Sequence, residues 1–216
     1  MIVVDFLLNI DQYLETIMSQ YTVLTYLVLF GIIFVETGVV ILPFLPGDSV
    51  LFAAGAIIAK VGILNPIITL FILYAAAILG DSLNYSIGRH FGTKLKEKQN
   101  LKFLKMEYIE KTQQFFEKHG HQAITIARFV PIIRTMAPFV AGMSEMKYQQ
   151  FIKYNVIGGI LWISIFFGTG YFFGNIPFLK EHFSLIVLGV VVISFLPVLF
   201  TFVNQIKVKK TSSRKK

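Results

Sequence analysis

The sequence predicts an all-α polytopic membrane protein: about four full transmembrane helices, two oppositely oriented re-entrant helical hairpins and an N-terminal amphipathic helix. Three observations carry that prediction. Of the 216 residues, 55% are hydrophobic and only 15% charged, and the mean hydropathy is +0.69, well to the apolar side of a soluble domain. Four uncharged runs reach the roughly twenty residues that a helix rising about 1.5 Å per residue needs to cross the hydrocarbon. Most of the basic residues behind the net charge of +8 fall between Arg89 and Lys118 or between Lys207 and Lys216, the distribution of cytoplasmic segments. That distribution also argues against nucleic acid as a partner. With no cysteine, disulfides, thiolate metal sites and a cysteine nucleophile are excluded.

Residues 1–18 contain Asp5, Asp11 and Glu15 but no Lys or Arg, unlike the basic start of a signal peptide, so this segment is expected to stay on the chain. On a helix, Asp5, Asn9, Gln12 and Thr16 share one face opposite Val3, Phe6, Leu7, Ile10 and Leu14, as an interfacial helix requires. Residues 19–206 form the single membrane domain. Its full spans are expected at Thr16 to Val35, Val61 to Gly80, Tyr154 to Gly174 and Phe183 to Val203, each bounded by charge, glycine or proline. Residues 207–216 are a basic tail drawn to anionic lipid headgroups.

Two further apolar stretches are interrupted and read as hairpins. Residues 37–59 are broken by Pro43, Pro46, Gly47 and Asp48, and residues 123–144 by Arg128, Pro131, Arg134 and Pro138, with Gly142 near the end. Proline stops or kinks a helix, so each stretch can enter, turn and leave on one side, provided protein or a wet cavity shields its backbone. If 123–144 returns to the cytoplasm, the basic loop at about 89–121 and the C-terminal tail both lie inside. The first hairpin then opens from the outer face. Leu101, Leu104, Ile109, Phe115 and Phe116 among the loop's charges predict surface-lying helices. Weak similarity between the hairpins, with Ala54-Gly55 matching Ala141-Gly142, fits an inverted repeat.

Glu36, Asp48, Arg128 and Arg134 all sit in apolar sequence, where an unpaired charge costs roughly 2.5–3.5 kcal/mol or more at the bilayer centre. They are expected to face one another or water, two acids from the first hairpin unit against two arginines from the second. On one continuous helix Arg128 and Arg134 would diverge by about 120°, and a break at Pro131 lets both turn to one cavity. Arginine holds its charge and grips phosphate, while a buried carboxylate can take up a proton. The set therefore points to Arg128 and Arg134 as binders of an anionic lipid headgroup, and to Glu36 and Asp48 as charge partners and proton carriers. No metal site and no cofactor is expected: His119-Gly120-His121 lacks a third ligand.

Asp81 and Asn84, in Gly80-Asp81-Ser82-Leu83-Asn84, are expected near a cytoplasmic mouth with Arg89 or water as partner. Trp162, Tyr85, Phe166 and Phe172 are expected to face lipid or its interface. The Gly80-Asp81-Ser82-Leu83 likeness to a hydrolase signature lacks the Asp-x-x-His that would accompany it.

The pattern Glu36-x-Gly38, Pro43-x-x-Pro46-Gly47-Asp48, Gly80 through Gly88-Arg89 and Arg128-Phe129-x-Pro131-x-x-Arg134-x-x-x-Pro138-x-x-Ala141-Gly142-Met143, followed by Asn155 and Gly158, resembles the bacterial DedA family of the wider VTT or SNARE-associated Golgi protein superfamily. The resemblance implies a cytoplasmic-membrane lipid flippase rather than an enzyme, with undecaprenyl phosphate or a similar polyprenyl phosphate as substrate and the proton motive force as a candidate drive. It equally implies a phosphatidylethanolamine flippase or scramblase, or a proton-coupled antiporter of drugs or small solutes. The family's essential acids and arginines map onto Glu36, Asp48, Arg128 and Arg134. An intramembrane lipid hydrolase, with Asp48 and Glu36 as acid and base, is the alternative from another class. A homo-oligomer is compatible with any of these.

Overall fold

The computed structural model describes residues 16, 18–39, 47–97, 106–130 and 133–176, and every described secondary-structure element is helical. They are α1 (Thr22–Gly38), α2 (Gly47–Val61), α3 (Pro66–Glu97), α4 (Met106–His119), a 3-10 turn (Gly120–Gln122), α5 (Ala123–Ala127), α6 (Ile133–Met143) and α7 (Tyr148–Gly174). The N-terminal helix expected over residues 1–18 falls almost wholly outside the described residues, as do Pro43, Pro46, Pro131, the span expected at Phe183 to Val203 and the basic tail.

Local chemistry sets the helix ends. Asn65 accepts the Ile67 and Ile68 amides at its side-chain oxygen, 2.9 and 3.2 Å, and Pro66 follows as the first residue of α3, a cap and a proline where both suit a helix start. Gly62, at φ +72°, follows α2, its amide on the Ile58 carbonyl at 2.9 Å. Between α6 and α7 the Met146 amide reaches the Ala141 carbonyl and the Glu145 amide the Gly142 carbonyl, with Glu145 at φ 57°. This is a Schellman turn with a non-glycine residue in the left-handed position. Threonine hydroxyls turn back on their own helix, Thr25 to Tyr21 and Thr37 to Ile33, so they present no unsatisfied donor to hydrocarbon.

Two described helices are long and apolar enough to cross a bilayer, Pro66–His90 within α3 and Tyr148–Gly174. The first revises the expected span of Val61 to Gly80, because the helix begins at Pro66 and runs unbroken past Asp81 and Asn84. Apolar side chains such as Val23, Leu27, Phe71, Ile165 and Phe172 point outward, as a lipid-facing surface requires.

The helices interlock as two similar units. α1 lies on α3 and α5 on α7, while the second limbs exchange: α2 packs on α7 and α6 on α3. Both exchanged crossings use the same device. A Cβ on Gly142 would meet the Tyr85 carbonyl oxygen at 2.1 Å and the Arg89 nitrogen at 2.8 Å; on Gly55 it would meet the Phe167 carbonyl oxygen at 2.2 Å and the Tyr171 nitrogen at 2.7 Å. Reciprocally, Gly88 abuts the Phe139 carbonyl and Gly170 the Phe52 carbonyl. Without side chains at these points the backbones touch, the mode by which membrane helices associate when lipid removes the hydrophobic drive. The matched pair Ala54-Gly55 and Ala141-Gly142 thus occupies equivalent crossings.

Contrary to the expectation from sequence, Pro138 and Gly142 do not break the second hairpin. Both lie inside α6, and the interruption falls between Ala127 and Ile133. Ile109 and Phe116 of α4 pack against Met136, Phe139, Val140 and Met143 of α6, so this amphipathic helix is docked on the membrane domain. Leu101 and Leu104 lie outside the described residues.

Gly142→Val is expected to destabilise the protein by about 1–3 kcal/mol or more, the cost of overpacking, read as a lowered thermal unfolding midpoint in detergent. Gly168→Ala, where a Cβ meets nothing within 4 Å, is expected to leave that midpoint unchanged.

Candidate functional site

The interrupted ends of both units converge at one buried place. Glu36 lies in the last turn of α1, Asp48 in the first turn of α2, Arg128 just after α5 and Arg134 in the first turn of α6. Arg134 is shared: one terminal nitrogen donates to Asp48 Oδ1 at 2.6 Å and the other to Glu36 Oε1. A guanidinium bonding two carboxylates through separate nitrogens has its planar fork held on two sides.

Arg128 does not join that pairing. Its Nη2 donates to Asp81 Oδ2 at 2.5 Å and to Asn155 Oδ1 at 2.5 Å, and Asn155 in turn donates to the Ile78 carbonyl at 3.1 Å. The expected balance of two acids against two arginines is therefore corrected. Three carboxylates from α1, α2 and α3 meet two guanidinium groups, and the third is Asp81. The reason is helical phase: α3 continues past Gly80, so Asp81 is carried inside the bundle, is only 4% exposed and pairs with Arg128 rather than Arg89 or water. Asn84 is likewise buried, donating to the Thr37 carbonyl at 3.2 Å and the Thr135 carbonyl at 2.9 Å. It ties α1 and α6 to α3.

Trp162 of α7 was also misplaced by sequence reasoning. It is buried, with both guanidinium groups over its ring, Arg128 at 5.7 Å and Arg134 at 5.5 Å from the centroid, a cation–π arrangement strengthened away from water. Its indole nitrogen donates to Asp48 Oδ1 at 2.8 Å. Tyr85 is buried too, stacked on Phe151 with centroids 4.5 Å apart and donating to the Met146 carbonyl. Phe172 is exposed as expected and Phe166 partly buried. A tryptophan inside an apolar run reads as lipid-facing until its rotational position is known.

Glycines make room for the charges. A Cβ on Gly47 would lie 1.8 Å from Glu36 Oε2, and the Gly47 amide donates to Glu36 Oε1 at 3.1 Å. The carboxylate thus sits against the first residue of α2, where helix amides favour negative charge. Gly158 and Gly159 flank the Arg128 side chain; a Cβ on Gly158 would lie 3.1 Å from its Cδ. Between the two ion-pair groups lies a cavity of about 20 Å³ touched by Glu36, Asp81, Arg128, Arg134, Thr135 and Trp162, a volume on the scale of one water. Exposure is uneven: the Asp48 side chain is 45% exposed, that of Glu36 only 3%. Among the described residues no cluster of three metal-ligating side chains occurs.

An all-helical membrane chain that brings two arginines from the segment around α5 and α6, and three carboxylates from α1, α2 and α3, to one ionic centre defines a class of membrane protein organised around ion pairs within its helix bundle. Residues 45–172 match the VTT domain. The chain is 49% identical over 195 residues to Protein DedA of Escherichia coli (strain K12), covering 90% of this chain and 89% of that one. It is 41% identical to the membrane protein ML0287 of Mycobacterium leprae, covering 78% and 75% of the two chains, and 39% identical to the inner membrane protein YghB of Escherichia coli (strain K12), covering 73% and 71%. This chain belongs to the DedA family of VTT-domain membrane proteins. No solved structure matches it.

Asp81→Ala is expected to cost about 3–5 kcal/mol, because it strands a buried guanidinium, while Asp81→Leu combined with Arg128→Met regains much of that loss. Thermal unfolding of the single and double variants in detergent reads both.

Proposed function

We propose that this protein is a lipid flippase of the cytoplasmic membrane that carries a phosphate-headed lipid, a polyprenyl phosphate such as undecaprenyl phosphate, between leaflets. The observation that carries the reading is the asymmetry of the Arg134 pairing. Glu36 is enclosed and also bonded to Gly47, whereas Asp48 is almost half exposed. An arriving phosphate is an anionic guanidinium acceptor of the same kind as the Asp48 carboxylate, so it exchanges with Asp48 while Glu36 keeps the arginine in place. Trp162 stays beneath the guanidinium during the exchange and holds the released Asp48 through its indole N–H. Protonation of Asp48 weakens its hold on Arg134 and favours the exchange, which is how a proton gradient is coupled to lipid movement here.

In this reading the first hairpin opens from the outer face and the second from the cytoplasmic face, each reaching the shared ionic centre near the midplane. The last span then returns the basic tail to the cytoplasm. The two matched glycine crossings support such a repeat, because rocking one unit against the other requires smooth contact surfaces.

Sidedness-resolved flux of labelled polyprenyl phosphate in proteoliposomes tests the proposal. Arg134→Ala is expected to abolish flux in a protein that still inserts. Asp48→Asn is expected to retain flux while losing its response to a pH gradient, and unchanged transport by Arg134→Ala would rule the mechanism out. Mass spectrometry of the same lipids is expected to find them relocated and chemically intact.

A further inference from the structure

From the ionic centre, α1 and α2 run away side by side, α1 backward from Glu36 and α2 forward from Asp48. They make little contact along that course. Between them lies an apolar cavity of about 270 Å³, with Leu24, Val28 and Leu29 of α1 facing Ala54, Ile57 and Ile58 of α2 and Met18 at one end. Thr25, which also borders it, gives its hydroxyl to the Tyr21 carbonyl at 3.0 Å, so that hydroxyl is already satisfied. The flanking residues Val23 and Leu27 point outward, so the cavity opens on a lipid-facing side.

Its position matters as much as its lining. At about 1.5 Å per residue, Ala54, Ile57 and Ile58 lie roughly 9–15 Å along α2 from Asp48, and Leu29 to Thr25 a similar distance along α1 from Glu36. The cavity therefore starts where an extended chain would enter after leaving a head held at Arg134, and it follows both helix axes. A void of this size among apolar side chains forfeits dispersion contacts on every wall unless something fills it, and in a bilayer the available filler is a hydrocarbon chain.

We infer that the α1–α2 cavity is a binding site for the hydrocarbon chain of the same lipid whose anionic head engages Arg134. This rests on the flippase reading for the identity of the head, while the chain site has its own readout. The site makes the protein sensitive to the chain as well as to the headgroup: a phosphate without a chain binds only at the ionic centre, and a chain without a phosphate lacks the anchor.

The absence of native cysteine allows a clean test. Wild-type protein in phosphatidylcholine nanodiscs is photolabelled with two probes that share a diazirine-bearing prenyl chain, one ending in phosphate and one in a neutral alcohol, and the labelled residues are mapped by mass spectrometry. The phosphate probe is expected to label Val28, Leu29, Ile57 or Ile58 above the alcohol probe. Val28→Trp, at a half-exposed position on the rim, is expected to lose that label, while an exposed residue outside the cavity such as Ile160 of α7 stays at background with either protein. Equal labelling of the cavity by both probes would keep the chain site and remove the phosphate-headed lipid as its owner. Labelling confined to other faces, or a disulfide formed between Val28→Cys and a cysteine placed within residues 1–15 in the wild-type background, would assign the cavity to bulk surface or to the chain's own N-terminal segment and overturn the inference.

Discussion

Everything in this fold answers to the cost of holding two guanidinium groups inside a membrane. Neither arginine can give up its proton, so the chain must bring acceptors to them, and it does so from five places: Glu36, Asp48, Asp81, Asn155 and the face of Trp162. The acceptors come from α1, α2, α3 and α7, the arginines from the broken segment around α5 and α6. No single helix could satisfy either charge. The ion pairs therefore couple the helices, and a change at one carboxylate is felt by elements that never touch it.

The glycine crossings make that convergence sterically available. A helix that ends inside a bundle exposes terminal amides and carbonyls, and close approach of neighbouring backbones shelters them. Gly55 and Gly170 on one side, Gly88 and Gly142 on the other, let α2 and α6 lie directly on the two long helices. Gly47 does the same at smaller scale, giving the Glu36 carboxylate an amide to bond and no side chain to meet. Close packing and charge pairing are thus one solution: the first removes lipid from the broken ends, and the second uses the dry space that results.

Two cavities of different character border the same pair of helices, α1 and α2, or their ionic end. The small polar one lies among the charges, and the large apolar one begins a few turns away between α1 and α2. A ligand with a compact anionic head and a long apolar chain matches both at once, whereas a small hydrophilic solute would leave the larger cavity without a role. Asp48 combines a 45% exposed side chain with a hydrogen bond from the Trp162 indole, the two features on which the proposed exchange depends.

Much of this was legible from the chain alone. Glu36, Asp48, Arg128 and Arg134 were recognisable because charge within apolar sequence is too costly to be incidental, and the break near Pro131 followed from proline's missing amide hydrogen. Pro138 differs: it lies inside α6 and not at the break. Asp81 and Trp162 could not be placed. An acid beside Ser82, Asn84 and Arg89 looks like a helix approaching water, and a tryptophan among phenylalanines looks like lipid contact. Composition and spacing determined that this is a membrane protein with charges gathered inside it, because those properties follow from transfer free energies that each residue carries wherever it sits. Which acid meets which arginine was decided only by tertiary structure, because it depends on the rotation of α3 and α7, set where glycines let them meet the backbones of α6 and α2, segments distant in sequence.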